Sequence, residues 1–87
     1  MFQVEFTLDA DRDVARLDAK IRRRILKRVE WLGQNAEQAQ HTRLKGGLSD
    51  LFKFYVGDYR VLYKILHTEK LLRVYRVRHR SEVYKEK

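Results

Sequence analysis

The sequence contains no cysteine. That absence excludes a disulfide framework and any thiolate metal site, and it is compatible with a reducing compartment. No apolar run approaches the ~18 residues that a membrane span requires, and no secretory apolar segment follows Met1, so the expected location is the cytoplasm. Three histidines are present, none in an HExxH spacing, and no metal site is expected. The chain has no glycine-rich nucleotide loop ahead of a helix, because Gly46-Gly47 precedes a strand. Ser49 and Ser81 lack a nucleophile-elbow context. Zinc enzymes, nucleotide-loop enzymes and serine hydrolases are thereby set aside, and no cofactor is expected.

What the chain does have is positive charge. Its 87 residues carry 20 Lys and Arg against 12 Asp and Glu, a net charge of +8. The length suits one domain over residues 1–87. The balance implies an acidic partner such as nucleic acid, an acidic protein or a membrane surface.

Residues 2–7 alternate Phe2, Val4 and Phe6 with Gln3, Glu5 and Thr7, the pattern of a half-buried strand. Asp9 is the expected cap of the helical stretch after it. From about residue 10 to 33 the period becomes helical: Val14, Leu17, Ile21, Ile25, Val29 and Leu32 draw one apolar stripe. Asp18 can cap a second helix within this stretch, so it reads as a helix or a helical hairpin. Gly33 and Asn35 are the expected stops. Arg22, Arg23, Arg24, Lys27 and Arg28 read as the solvated face of that helix, and Trp31 as a core or rim aromatic. Residues 34–43 read as a polar connector with an exposed His41.

Phe52, Phe54 and Val56 alternate with Lys53 and Tyr55 in a second strand, and Gly57-Asp58 supplies a tight turn. Residues 59–67 are apolar on both faces, which predicts a central strand. After a turn at Thr68-Glu69, residues 70–78 return as another strand. There Leu72 and Val74 share a face while Val77 falls out of phase, which predicts a β-bulge near Tyr75-Arg76. The tail from His79 reads as a helical turn or loose end. The expected fold is α+β: an N-terminal strand, a helix or helical hairpin, then a three-stranded antiparallel meander. The sheet is expected to have about four antiparallel strands with the helices on one face.

Lys53, Arg60, Lys64, Arg73, Arg76, Arg78 and Arg80 are delivered by adjacent strands and their ends. Assembling so many cations on one sheet is costly without an anion, and a phosphodiester would relieve that cost through bidentate guanidinium contacts. Lys45, Lys64, Arg76 and Arg80 are candidate phosphate contacts; Tyr55, Tyr75 and Tyr84 are candidate stacking platforms for unpaired bases. The same cations could simply edge the sheet and discourage aggregation. Cleavage of RNA would need a base for the 2′-hydroxyl, charge for the phosphate and an acid for the leaving 5′ oxygen. His79 is the histidine nearest the cluster in sequence, so electrostatic stabilisation must carry most of the effect. Crowding by cations would favour a neutral Lys53 amine able to act as that base.

The stretches LKGGLSDLFKFYVGDYRVLYKI and VYRVRHRSEVY, after a strand–helix opening, resemble the RelE/ParE superfamily of toxin–antitoxin modules, most closely its RelE-type mRNA endonucleases. The resemblance runs from Met1 to Tyr84. It implies cleavage of mRNA in the ribosomal A site by 2′-hydroxyl attack, without a metal, and neutralisation by a cognate antitoxin in a hetero-oligomer. It further implies that Arg60 stabilises the scissile phosphate and that Lys53 is one of a pair of lysines with base or electrostatic roles. Leu51 stands where the other lysine would be. Arg78 matches a general acid or leaving-group stabiliser, Tyr84 a base-stacking tyrosine, and His79 a histidine used in some relatives for proton transfer. Arg80 is implied to touch phosphate or ribosome. ParE-type relatives share the fold but inhibit DNA gyrase, and a degenerate member would only bind RNA or antitoxin.

Overall fold

A computed structural model describes residues 1–44 and 51–85, the side chains of 83–85 excepted. The elements run β1 (Gln3–Phe6), α1 (Leu8–Ala15), α2 (Ala19–Gln34), β2 (Thr42–Arg43), β3 (Phe52–Val56), β4 (Tyr59–Leu66), β5 (Leu71–His79) and α3 (Arg80–Lys85). They form the expected α+β architecture around a five-stranded sheet in the order β1-β5-β4-β3-β2. The sheet is mixed. β3, β4 and β5 make the antiparallel meander, whereas β1 pairs in parallel with β5, Val4 opposite Leu72 and Phe6 opposite Val74. The fifth strand, β2, is a two-residue pairing of Thr42 and Arg43 with Lys53 and Phe52, too short and too polar to leave a period in the sequence.

The first helix starts at a different cap from the one expected. Thr7, not Asp9, occupies the N-cap: its hydroxyl accepts from the Ala10 amide at 3.2 Å and donates to the Tyr75 carbonyl at 3.1 Å. A carboxylate has no proton for the second bond, so only a hydroxyl joins helix start to strand here. Asp18 caps α2 as expected, accepting from the Lys20 amide at 3.2 Å. Ile25, Val29 and Leu32 of α2 pack with Ala10 and Val14 of α1 onto Val61, Tyr63, Leu72, Val74 and Val77, all nearly inaccessible to solvent. β4, buried on this face and at Leu62 on the other, lies third of the five strands, the central place its two-sided apolarity predicts.

Gly33 is not the helix stop; α2 continues to Gln34 and Asn35 forms the C-cap. Its role is close approach. The Phe2 amide donates to the Gly33 carbonyl at 3.0 Å, and a Cβ at Gly33 would lie 2.8 Å from Val4 Cγ2 and 3.1 Å from the Phe2 carbonyl oxygen. Only a residue without a side chain lets the N-terminus lie against α2.

His41 is half-buried rather than exposed, because a carbonyl of its own connector and a phenol of β4 bracket its ring. Nε2 lies 2.7 Å from the Ala36 carbonyl and Nδ1 lies 2.6 Å from the Tyr63 hydroxyl. A carbonyl only accepts, so Nε2 carries the proton and Nδ1 accepts from the phenol. Burial pushes Tyr63 up to about 12, which keeps that phenol protonated as a donor. Phe52 closes the cluster, with ring centroids 5.4 Å from His41 and 5.6 Å from Tyr63. The connector is thus anchored to the middle of the sheet.

Both contacts can be tested by stability. Gly33→Ala gains ~1 kcal/mol of helix propensity but meets a stiff valine and a pinned carbonyl, an overpacking cost of about 1–3 kcal/mol, so denaturant unfolding should show a net loss. Tyr63→Phe should be less stable than wild type near neutral pH by about 0.5–1.5 kcal/mol, because His41 Nδ1 loses its donor. The raised phenol favours the folded state fully below pH 10.0 and loses that contribution as pH climbs to about 12. The stability gap between Tyr63→Phe and wild type should therefore narrow across that interval in urea melts taken at successive pH values.

Candidate functional site

The helices cover one face of the sheet, and the candidate residues stand mostly on the other. Cross-strand register sorts them into rows. Tyr55 of β3 faces Arg60 of β4, which faces Arg78 of β5. In the next row Lys53 faces Leu62, which faces Arg76; in the third, Lys64 faces Arg73, which faces Glu5 of β1. The hairpin turn that starts this arrangement is tight because Gly57 takes φ +59°. Arg24 of α2 reaches the turn from the helical side, its guanidinium 3.5 Å from where a Gly57 Cβ would stand.

Arg78 reaches the open face only because β5 changes phase. Leu62 pairs with Arg76 while Tyr63 pairs with Val74, leaving Tyr75 as the extra residue of the bulge predicted from the sequence. With simple alternation from Val74, Arg76 and Arg78 would point into the core and Val77 to solvent. The bulge reverses this: Val77 is 4% exposed and packs in the core. His79, one residue beyond Arg78, is carried to the opposite face. There its ring meets Tyr59 edge-on at 5.1 Å, and Nδ1 accepts from the Ser81 amide at 3.1 Å. The structure does not bring His79 together with Arg60 and Arg78.

The cations fall into two groups by their partners. Those of β5 and α3 carry acids: Arg73 with Glu5 at 2.6 Å, Arg76 with Asp13 at 2.8 Å, Arg78 with Glu82 at 3.5 Å and Arg80 with Asp58 at 3.9 Å. Tyr75 and then Glu5 raise the Arg73 pKa further. Among the described residues, Lys53, Arg60 and Lys64 of the hairpin have no acidic partner; the two lysines instead lie against tyrosine rings, Lys53 Nζ 5.8 Å from Tyr55 and Lys64 Nζ 5.3 Å from Tyr75. Arg60 has neither. Its Nε is buried and finds no hydrogen-bond acceptor among the described residues. A buried guanidinium N–H without an acceptor, directly across from a second arginine, is a place where an anion would be stabilised. Lys45 lies outside the described residues, as do Gly46-Gly47 and the Tyr84 side chain.

One contributor carries no motif. Asp13 of α1 is half-buried, its side chain 9% exposed, and bridges Arg76 and the Val77 amide. Its signal was available: Ala10, Asp13 and Val14 fall at spacings of three and four on one face of α1, so a carboxylate sits on the buried stripe. Burial by itself would raise its pKa, but hydrogen bonds from Arg76 and Val77, with the charges of Arg76 and Arg78, hold it below the usual carboxylate range. It stays ionised at neutral pH.

Residues 4–84 match the family model described as the ParE toxin of type II toxin–antitoxin system, parDE. No curated protein matches the sequence. Among solved structures, the toxin–antitoxin complex RelBE2 from Mycobacterium tuberculosis superposes with a TM-score of 0.80 at 26% identity, over 90% of this chain and 96% of that one. The isolated RelE toxin of E. coli gives 0.75 at 22% identity, over 99% and 94%. A metal-bound toxin from Helicobacter pylori gives 0.70 at 26% identity, over 95% and 99%. RelE relatives from E. coli, Pyrococcus horikoshii and Methanococcus jannaschii have also been crystallised with RelB antitoxin. By a family match that spans nearly its whole length, on a fold it shares with solved RelE toxins, the chain belongs to the RelE/ParE toxin superfamily of type II toxin–antitoxin systems.

Proposed function

We propose that residues 1–87 act as one toxin domain, a ribosome-dependent endonuclease that cleaves mRNA in the A site of cytoplasmic ribosomes and so stops translation. The observation that carries this reading is the Arg60–Arg78 row, with Arg60 Nε buried and without an acceptor among the described residues. Two guanidinium groups opposed across neighbouring strands, with Cβ atoms ~5 Å apart, repel each other until an anion bridges them. A scissile phosphate whose charge increases in the transition state gains most from such a pair.

The chemistry is attack of the 2′-hydroxyl on the adjacent phosphorus. A 2′,3′-cyclic phosphate forms and the bond to the 5′ oxygen breaks, that oxygen taking a proton from water. Arg60 and Arg78 hold the phosphate oxygens, and Arg78 also stabilises the leaving oxygen. Lys53, on the same face, takes the hydroxyl proton; Leu51 leaves it without a second lysine. With His79 on the far face, proton transfer contributes less here and charge stabilisation more. Lys64 and Arg80 guide the RNA backbone with Lys45, Tyr84 stacks on a base, and Arg76 acts through the geometry of β5. No metal is required, because the nucleophile belongs to the substrate and the guanidinium groups supply the charge.

The natural partner is an antitoxin whose acidic, partly disordered segment folds over the basic surface in a hetero-oligomer. A second reading has its own support, since the family model matched is that of ParE toxins: a gyrase inhibitor that uses this fold without hydrolysis.

Induction followed by mapping of message ends separates the readings. Cuts repeating with codon periodicity support the endonuclease, whereas intact message with a DNA-damage response supports gyrase inhibition. Arg60→Ala should lower the cleavage rate by roughly 10²–10³-fold with the fold retained. Growth arrest that survives Arg60→Ala, Arg78→Ala and Tyr84→Ala together rejects the nuclease. For a non-cleavable 2′-deoxy oligonucleotide, Arg60→Gln should also flatten the plot of log affinity against log salt by about 0.7, the value for one lost phosphate contact on a single strand.

A further inference from the structure

β1 stops at Phe6, where the Thr7 amide makes a last bond to the Val74 carbonyl at 3.0 Å. Beyond that point the outer edge of β5 has no strand beside it among the described residues, and the bulge at Tyr75 falls at this boundary. An unpaired edge next to a bulge is where a register is least specified. α1 covers it. Asp13 Oδ2 accepts from the Val77 amide at 2.9 Å and from Arg76 Nε at 2.8 Å, while Oδ1 accepts from a terminal Arg76 nitrogen at 3.1 Å. The carboxylate therefore stands in for a strand and holds the two residues after the bulge, Arg76 by its side chain and Val77 by its backbone. Thr7 performs the matching task one step earlier, donating to the Tyr75 carbonyl.

We propose that Asp13 is a positioning residue for the phosphate site: by binding the Val77 amide and the Arg76 guanidinium, it holds β5 in the bulged register that sets Arg78 beside Arg60. The Asp13 carboxylate also feels the charge of Arg78, and so lowers the positive field at one member of the arginine pair. It does so from the helical side, without occupying the space in front of them. The consequence for cleavage rests on the endonuclease reading above; the register itself does not.

The test pairs a structural readout with a kinetic one. In Asp13→Ala, cross-strand NMR contacts between Arg60 and Arg78 should be lost, and single-turnover cleavage of ribosome-bound message should fall on the order of a hundredfold. In an Arg78→Ala background the same substitution should change the rate by less than about twofold, because its effect passes through Arg78. Retention of the Arg60–Arg78 contacts in Asp13→Ala overturns the proposal, as does a rate loss that repeats undiminished without Arg78. Asp13→Asn keeps an acceptor for the Val77 amide and serves if the alanine variant does not fold. It should show a smaller loss that again vanishes in the Arg78→Ala background. If wild-type protein cuts no message, the endonuclease reading fails and the NMR contacts alone decide the role of Asp13.

Discussion

A strand has only two faces, and adjacent residues cannot share one. β5 must bury Leu72, Val74 and Val77 while showing Arg78 to the face where Arg60 stands, and strict alternation cannot satisfy both demands. One extra residue, Tyr75, reconciles them. The sheet, the covering helix and the cationic face are all consistent with that single insertion and with no other phase. The Thr7 and Asp13 contacts to the strand lie within two residues of it, so the backbone groups that a bulge leaves unpaired by strands are met by side chains from α1 and its cap.

Charge on the open face is distributed rather than simply accumulated. Along β5 and α3, Arg73, Arg76, Arg78 and Arg80 each sit within ion-pair distance of a carboxylate, and most of these pairs are exposed enough to be worth little in stability. Their effect is to lower the field locally. The hairpin of β3 and β4 receives no such relief among its described residues, so the residual positive potential gathers at Lys53, Arg60 and Lys64. Leu62, 8% exposed between Lys53 and Arg76, gives this row an apolar floor in which a neighbouring charge is screened less than in water.

Much of this was written in local patterns. Period-two alternation marked β1 and β3, two-sided apolarity marked β4, the helical stripe marked α2, and the phase slip between Val74 and Val77 marked the bulge. The placement of His79 was missed, because the strand was expected to end at residue 78; β5 runs on to His79, and a neighbour of Arg78 on the same strand must point away from it. Other features depend on distant groups and leave no local trace. His41 looks like any polar connector residue until Tyr63, 22 residues on, lies beside it. Thr7 outcompetes Asp9 as a cap only because the Tyr75 carbonyl is there to accept its proton. The parallel pairing of β1 is likewise invisible in the four residues of β1 themselves.

That parallel pairing has a consequence for the order of assembly. Among the described strands β1 comes earliest in the sequence, and its neighbour in the sheet is β5, which follows all the others. Glu5 waits 68 residues for Arg73, and Thr7 the same distance for Tyr75. Contacts so far apart in sequence close late, after the local hairpin of β3 and β4 has formed. Arg60 and Arg78 belong to the second of two consecutive hairpins, so their row closes with β5 on β4, before β1 docks on the far edge of β5. A growing chain carries the first hairpin without the opposed arginines, and a truncated one never acquires them.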